Sequence, residues 1–202
     1  MSENTNVGVG MSATSTAIRN KGTENTLGLF DTFQVECYDK EGQLKWSDIV
    51  YNSVTHEGLD YALEAIFRDG TQYGLTDWFV GLIDASPTPN FTDTGAALPA
   101  VMSVTEYSTY DETTRVPLIL DTTLSGSGGT RSNNNPSPAV FTINGTALDI
   151  GGCFICAGVG AAANVKESTA TVLYGAGAFT GGNKVVDAGD TLNVTVTVSA
   201  AR

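Results

Sequence analysis

The C-terminal stretch alternates apolar and polar side chains more regularly than any other part of the chain. From Thr191 to Ser199, every second position is apolar and the positions between carry Thr, Asn or Ser. Successive side chains of a strand point to opposite faces, so this period of two predicts a strand with one buried side. The predicted buried side is Leu192, Val194, Val196 and Val198, and the opposite side, a candidate contact face, is Asn193, Thr195 and Thr197.

A second alternating segment predicts a β-hairpin near the start of the chain. Phe33, Val35 and Cys37 alternate with polar residues, and the alternation resumes on a return strand at Leu44 and Trp46. Between them, Asp39–Gly42 has the composition of a turn, with Gly42 suited to a positive φ angle.

Further apolar runs separated by turn residues predict a mostly β fold. The run Trp78–Ile83 is apolar throughout, which favours a strand covered on both faces, and Pro117 favours an edge or a bulge. Eight or more short strands at this spacing indicate a β-sandwich or jelly roll, with an up-and-down barrel as the runner-up. The other predicted strands are 101–110, 114–121, 140–143, 147–157, 169–174 and 184–186.

One helix is predicted, over about residues 56–68. Thr55 suits the N-cap, Glu57 suits the positive first turn, and Asp69 with Gly70 ends the helix. A stripe of apolar residues recurs at helical spacing, and we expect the helix, as an accessory to the fold, to bury this face by packing on a sheet or by plugging its open end. The stripe is Leu59, Ala62, Leu63, Ile66 and Phe67.

Two polar segments flank or interrupt this pattern, and both are candidate interfaces. Residues 1–25 are a disordered tail or an extended arm that orders on a neighbouring subunit, followed by a single β-sandwich domain over residues 26–202. Residues 125–138 predict a long loop that needs a partner to become ordered. The candidate interface residues are Val7, Val9, Met11 and Ile18 in the arm and Arg131, Asn133 and Asn134 in the loop.

Net charge and cysteine content restrict which classes of partner and which redox compartment we expect for the chain. The chain has 202 residues, 10 Lys and Arg against 22 Asp and Glu, and a net charge of −12. Proteins bind phosphate backbones through Lys and Arg, so we expect no direct nucleic-acid binding. The odd number of cysteines predicts free thiols in a reducing cytoplasm. Because no segment has the pattern of a signal peptide or a transmembrane helix, we expect neither standard secretion nor membrane insertion.

The sequence contains no recognisable catalytic or metal-binding constellation, so we expect no cofactor and no enzymatic activity. Cys153 and Cys156 have C-x-x-C spacing, but β-type flanking residues predict buried thiols on opposite faces of a strand. His56 is the only histidine, which leaves a zinc site or a catalytic triad without partners. The acidic pairs and the glycine-rich segments have the composition of turns and lack the context of a carboxylate site or a phosphate loop. These pairs are Asp111-Glu112 and Asp187 with Asp190, and the glycine-rich segments are 158–160 and 175–177.

Several phrases of the sequence together resemble the minor structural proteins of tailed bacteriophages. The likeness spans about residues 50–199, and such proteins include capsid cement or decoration proteins and some tail or neck components. The phrases are Asn52–Thr55 with Gly58-Leu59, Phe79–Asp84 with Asp93-Thr94 and Leu98, Glu106-Tyr107 with Thr114-Arg115, and Ala188–Thr195.

The resemblance implies a virion protein that is assembled in the host cytoplasm and has no catalytic residues. An acidic surface is repelled by packaged DNA, which favours the outside of the capsid. We therefore predict a cement or decoration protein that binds the major capsid protein and itself, as a dimer or trimer. The alternative is a tail or neck component that binds a carbohydrate or receptor through exposed aromatic rings. The candidate rings are Trp46, Tyr73, Trp78, Tyr107 and Tyr110.

Overall fold

A computed structural model describes residues 28–85, 88–97, 105–146, 148–159 and 164–201 of the chain. They form a mostly β structure of two antiparallel sheets and one helix, α1 (His56–Phe67), as the sequence predicts. The predicted arm lies outside the described residues, and the jelly-roll connectivity stays a prediction. The strands are β1 (Gly28–Tyr38), β2 (Leu44–Tyr51), β3 (Ser53–Val54), β4 (Trp78–Asp84), β5 (Glu106–Tyr107), β6 (Val116–Pro117), β7 (Thr130–Asn134), β8 (Ala139–Thr142), β9 (Leu148–Ala157), β10 (Val172–Ala178), β11 (Lys184–Val186) and β12 (Thr191–Ala201).

The first sheet has five strands and the second has seven. In the first, the order is β2-β1-β12-β7, and β8 also pairs with β12. In the second, the order is β3-β10-β9-β4-β5, with β11 paired to β9 and β6 paired to β4. β1 and β12 therefore lie side by side at the centre of the first sheet.

The main core lies between the two sheets. The first sheet contributes the buried positions of β1 and β12, such as Phe33, Val35 and Val194, and the second contributes alternate residues of β4 and β9. A second cluster lies on the other face of the seven-stranded sheet and consists of Phe79 and Ile83 of β4, Phe154 and Cys156 of β9, and Leu173 and Ala176 of β10. β4 is therefore buried on both faces, which confirms the prediction from its continuous apolar run.

The two most regular patterns in the sequence form paired strands. β1 pairs along its whole length with β12, with Val35 opposite Val194. The predicted hairpin joins β1 to β2, and Gly42 adopts a φ of +80° in its turn. The Asp39 side chain accepts hydrogen bonds from the backbone N–H groups of Glu41 and Gln43, which fixes the loop.

The prediction of an unstructured loop over 125–138 is wrong. Residues Thr130–Asn134 form β7, which pairs with the C-terminal half of β12, and Ser125 bridges to Ser132. β12 extends past β8, and its C-terminal half pairs with β7. Between the two, the Asn135 side chain accepts a hydrogen bond from Val196 N and donates one to Val194 O, which continues the ladder.

Two predicted strands are shorter than expected. The segment 114–121 contributes only the two residues of β6, and the described part of 101–110 contributes only β5. Pro117 lies in β6 at the margin of the second sheet, as its missing N–H requires. The polar residues of these segments make side-chain contacts instead, above all the ion pair between Glu106 and Arg115.

Candidate interaction surface

The helix begins where the sequence predicts. The Thr55 hydroxyl accepts a hydrogen bond from Gly58 N at 3.0 Å, which is the N-cap contact, and donates to the carbonyl of Leu173. The Glu57 carboxylate accepts hydrogen bonds at 2.7 Å from the backbone N–H groups of Leu173 and Gly95. The predicted role of Glu57 in the first turn therefore extends to fastening the helix to β10.

The expectation that the apolar stripe is buried is wrong for its four large residues, whereas Ala62 is half-buried. α1 packs on β10 with Gly58 at the contact, and Gly58 is its only fully buried residue. A Cβ atom on Gly58 would lie 2.2 Å from the Tyr174 carbonyl oxygen. On the same side, Tyr61 stacks on Tyr73 with ring centroids 5.0 Å apart. The helix approaches β10 this closely because Gly58 has no side chain at the contact.

Substitution of Gly58 tests this packing. Alanine favours a helix over glycine by about 1 kcal/mol when packing does not intervene. Here we expect Gly58→Ala to lower the free energy of unfolding by about 1–3 kcal/mol, because the new methyl group overlaps the Tyr174 carbonyl. Urea unfolding measures the effect. As a control, Gly74→Ala meets only the Asp77 side chain, at 3.3 Å, and should change the stability little; stabilisation by Gly58→Ala would contradict the close approach.

The four large apolar residues of the predicted stripe are exposed and define the apolar face of α1. Their exposed fractions increase toward the end of the helix, up to 76% for Phe67. An apolar stripe of this kind on an anchored helix is typical of an interaction site. The apolar face of α1 consists of Leu59 (40% exposed), Leu63 (55%), Ile66 (65%) and Phe67 (76%).

A charged strip runs beside the apolar face. Asp60, Glu64 and Arg68 are exposed and follow one another at intervals of four residues, which places them along one side of the helix. Arg68 Nη1 lies 3.1 Å from Glu64 Oε1. The strip is therefore acidic toward the start of the helix and basic at its end.

Three of the interface residues predicted from the sequence lie in β7 and not in α1. In β7, at the edge of the first sheet, Arg131 and Asn134 are exposed, whereas Asn133 is half-buried and donates a hydrogen bond to Asp121 O. Val7, Val9, Met11 and Ile18 lie outside the described residues. The helical period identified the apolar face of α1, but it assigned that face to the core.

Cys153, Cys156 and the glycine-rich segment 175–177 lie in packed strands of the second sheet. Cys153 belongs to the main core and Cys156 to the second cluster, so they face opposite sides of β9 as predicted. Burial raises the pKa of the Cys156 thiol to about 12, far from the value of a reactive thiolate. Gly175 and Gly177 lie where β10 passes close to Asn52 and Val50. A side chain on either glycine would overlap those residues.

The acidic pairs occupy turns, as predicted. Asp187 N donates to the Asp190 carboxylate in the turn before β12, and Lys45 Nζ lies 2.5 Å from Asp190 Oδ2. Asp111 accepts a hydrogen bond from the Asn144 side chain. Within the described ranges, no group of three His, Cys, Asp or Glu side chains could hold a metal ion.

The aromatic rings considered for sugar binding are largely committed to packing. Tyr107 and Tyr110 are buried. Trp46, Tyr73 and Trp78 are half-buried and contact other rings, with Trp46 against Phe179 and Trp78 against Tyr174.

Comparison with known proteins returned no relative: no protein-family model, no curated protein and no solved structure matches the chain. Among the described residues, no helix has the length and apolar character needed to cross a membrane.

Proposed function

We propose that this chain is a structural protein of a tailed-bacteriophage virion, a cement or decoration protein that binds the outer surface of the capsid at capsomer junctions. The observation that carries the proposal is the apolar face of α1, an exposed contact surface on a helix that Thr55 and Glu57 fasten to the sheet. A protein whose task is assembly needs such a surface, and an isolated protein gains nothing from exposing it.

Charge and composition support a place on the capsid exterior. The net charge of −12 opposes contact with packaged DNA. The partners in this proposal are the major capsid protein and further copies of the chain. Arg131, Asn133 and Asn134 at the edge strand β7, together with Val7, Val9, Met11 and Ile18 of the N-terminal segment, are the proposed capsid contacts.

Addition of the full-length protein to bare capsids tests the proposal. We expect saturable co-sedimentation with capsids and a higher temperature of capsid disassembly. Replacing Val7, Val9, Met11 and Ile18 by Ser should weaken binding at least tenfold, since apolar contacts at the junctions are lost. The matched control replaces Ala13 and Ala17 by Ser and should bind like the unmodified chain. Absence of binding to capsids, or a location only in the tail of the particle, would contradict the proposal.

A further inference from the structure

The apolar face of α1 fits a second copy of the same face. We propose that two chains associate through α1, packed antiparallel around a two-fold axis that passes near Glu64. The inference deepens the homo-oligomeric part of the proposed function and rests on it, but it does not depend on the capsid as a partner. An isologous contact of this kind uses one patch on both subunits.

The spacing of the apolar face supports a helical partner. Leu59, Leu63, Ile66 and Phe67 occupy positions i, i+4, i+7 and i+8, the pattern with which one helix packs against another. Two such faces place apolar side chains against apolar side chains. The contact therefore removes from water the residues that the fold itself leaves uncovered.

The charges of the strip favour a second copy of the chain as the partner and an antiparallel direction of the two helices. With the axis near Glu64, Asp60 of each copy lies opposite Arg68 of the other, which forms two attractive pairs. The two Glu64 carboxylates meet near the axis, each beside its own Arg68 at 3.1 Å. A parallel arrangement would instead align acidic residues with acidic residues and Arg68 with Arg68. An acidic partner surface would likewise be repelled by Asp60 and Glu64.

The helix is already held in the geometry that pairing needs. Thr55 and Glu57 connect its first turn to the backbone of β10, and the backbone N–H groups of Arg68 and Gly70 both donate to Glu64 O at its end. A surface that is ordered before binding loses little conformational entropy on association. Pairing therefore requires only side-chain adjustment on the apolar face.

The size of the surface sets the strength of the pair. A stable interface buries about 800 Å² on each partner, and one face of a twelve-residue helix offers less. We therefore expect a dissociation constant on the order of 10 μM or weaker for the free chain. When chains are held side by side on a particle, their effective concentration reaches about the millimolar range, and the same contact becomes occupied.

Sedimentation velocity of the full-length chain over a wide concentration range tests the pairing. The unmodified chain should shift from the 21.0 kDa monomer toward twice that mass as its concentration rises. Leu63→Gln with Ile66→Gln should weaken association at least tenfold. Both side chains are exposed, so circular dichroism should show an unchanged fold. The control Leu124→Gln replaces an equally exposed leucine (66%) outside α1 and should associate like the unmodified chain.

A charge exchange tests the direction of the helices. Arg68→Asp should weaken association about tenfold, and the double variant Asp60→Arg with Arg68→Asp should restore it to within about threefold, because the opposed pairs form again with reversed signs. Persistent monomers at high concentration, indifference to the glutamine variant, or failure of the exchange to restore association would each overturn the inference. Capsid binding by a chain that stays monomeric would leave the proposed function standing, whereas dimers that do not bind capsids would overturn the function alone.

Discussion

Replacing Arg115 by methionine should lower the free energy of unfolding by about 3–5 kcal/mol, the cost typical of leaving one partner of a buried ion pair alone. The Arg115 and Glu106 side chains are both fully buried, and Arg115 Nη2 lies 2.6 Å from Glu106 Oε2. Arg115 also donates to Ser168 O and lies over the Phe154 ring, 5.5 Å from its centroid. In the variant, the buried Glu106 carboxylate would keep the hydrogen bond from Glu167 N but lose its ion-pair partner.

Urea unfolding with a paired variant separates this mechanism from simple loss of packing. Combining Arg115→Met with Glu106→Gln removes the unpaired charge, so we expect the double variant to recover at least about 1 kcal/mol relative to the sum of the two single changes. The control is Arg68→Ala, which breaks the exposed pair with Glu64 and should cost about 0.5 kcal/mol or less. An Arg115 variant as stable as the Arg68 variant would show that the buried pair contributes little.

Asp31 should make the protein less stable as the pH rises toward neutrality. The residue is 2% exposed, its Oδ2 accepts a hydrogen bond from the Asn52 side chain, and its Oδ1 has no partner among the described residues. Burial raises the pKa of Asp31 from 3.8 to about 7, although the Asn52 hydrogen bond acts to lower it. Within the part of the chain that the structure describes, the Asn52 Oδ1 atom likewise has no hydrogen-bond partner.

The sign of the effect follows from proton binding. Below about pH 4 the Asp31 carboxyl is protonated in both the folded and the unfolded chain, and its full contribution to the free energy of unfolding is present. Between about pH 4 and 7 the folded chain keeps a proton that the unfolded chain has lost, so stability decreases by up to about 1.4 kcal/mol per pH unit. Above about pH 7 the contribution of Asp31 is lost.

Asp31→Asn should remove this slope and leave a variant that is more stable than the unmodified chain at pH 8 by a few kcal/mol. Denaturant unfolding from pH 4 to pH 8 measures it. Asp48 provides a contrasting control: burial acts to raise its pKa, but hydrogen bonds from Lys184 and Thr180 lower it to about 2. Asp48→Asn should therefore reduce stability throughout this range without changing the slope between pH 5 and 7. An unaltered slope in the Asp31 variant would contradict the raised pKa.

The sequence predicts the strands in which apolar and polar side chains alternate between the two faces of a sheet. In β12 and β1, strict alternation identifies both the strand and its buried side, because a slip of one residue would expose every valine. The position of α1 follows from Thr55 and the helical period in the same way. Strand alternation, the N-cap residue and the helical period depend only on neighbouring residues, so they can be recognised in a single sequence.

The side of α1 that packs could not be predicted from the apolar period. The period shows which residues share a face, but coverage of that face depends on what lies beside it in the fold. Gly58 allows an approach to the Tyr174 carbonyl that no larger residue permits, and this places the small side inward. The edge strand β7 was missed for a related reason, since its Arg, Ser and Asn residues pair only because β12 extends beyond β8.

The buried pair of Glu106 and Arg115 also escapes prediction from sequence. Charged residues near turns are usually solvated, and nothing in their spacing indicates that both will be covered on the outer side of the second sheet. The sequence instead places the candidate interface in the arm and at Arg131, Asn133 and Asn134, within its two most polar segments. The exposed face of α1 emerges only when the fold shows which apolar residues it leaves uncovered.

A cryo-electron microscopy map of the intact particle tests the central claim, that this chain is an assembly protein of the virion exterior, most directly. The account predicts density for the two-sheet body on the outer surface of the shell at capsomer junctions, with α1 of neighbouring copies in antiparallel contact. Absence of the chain from the shell, or a location on its inner surface or only in the tail, would contradict the account.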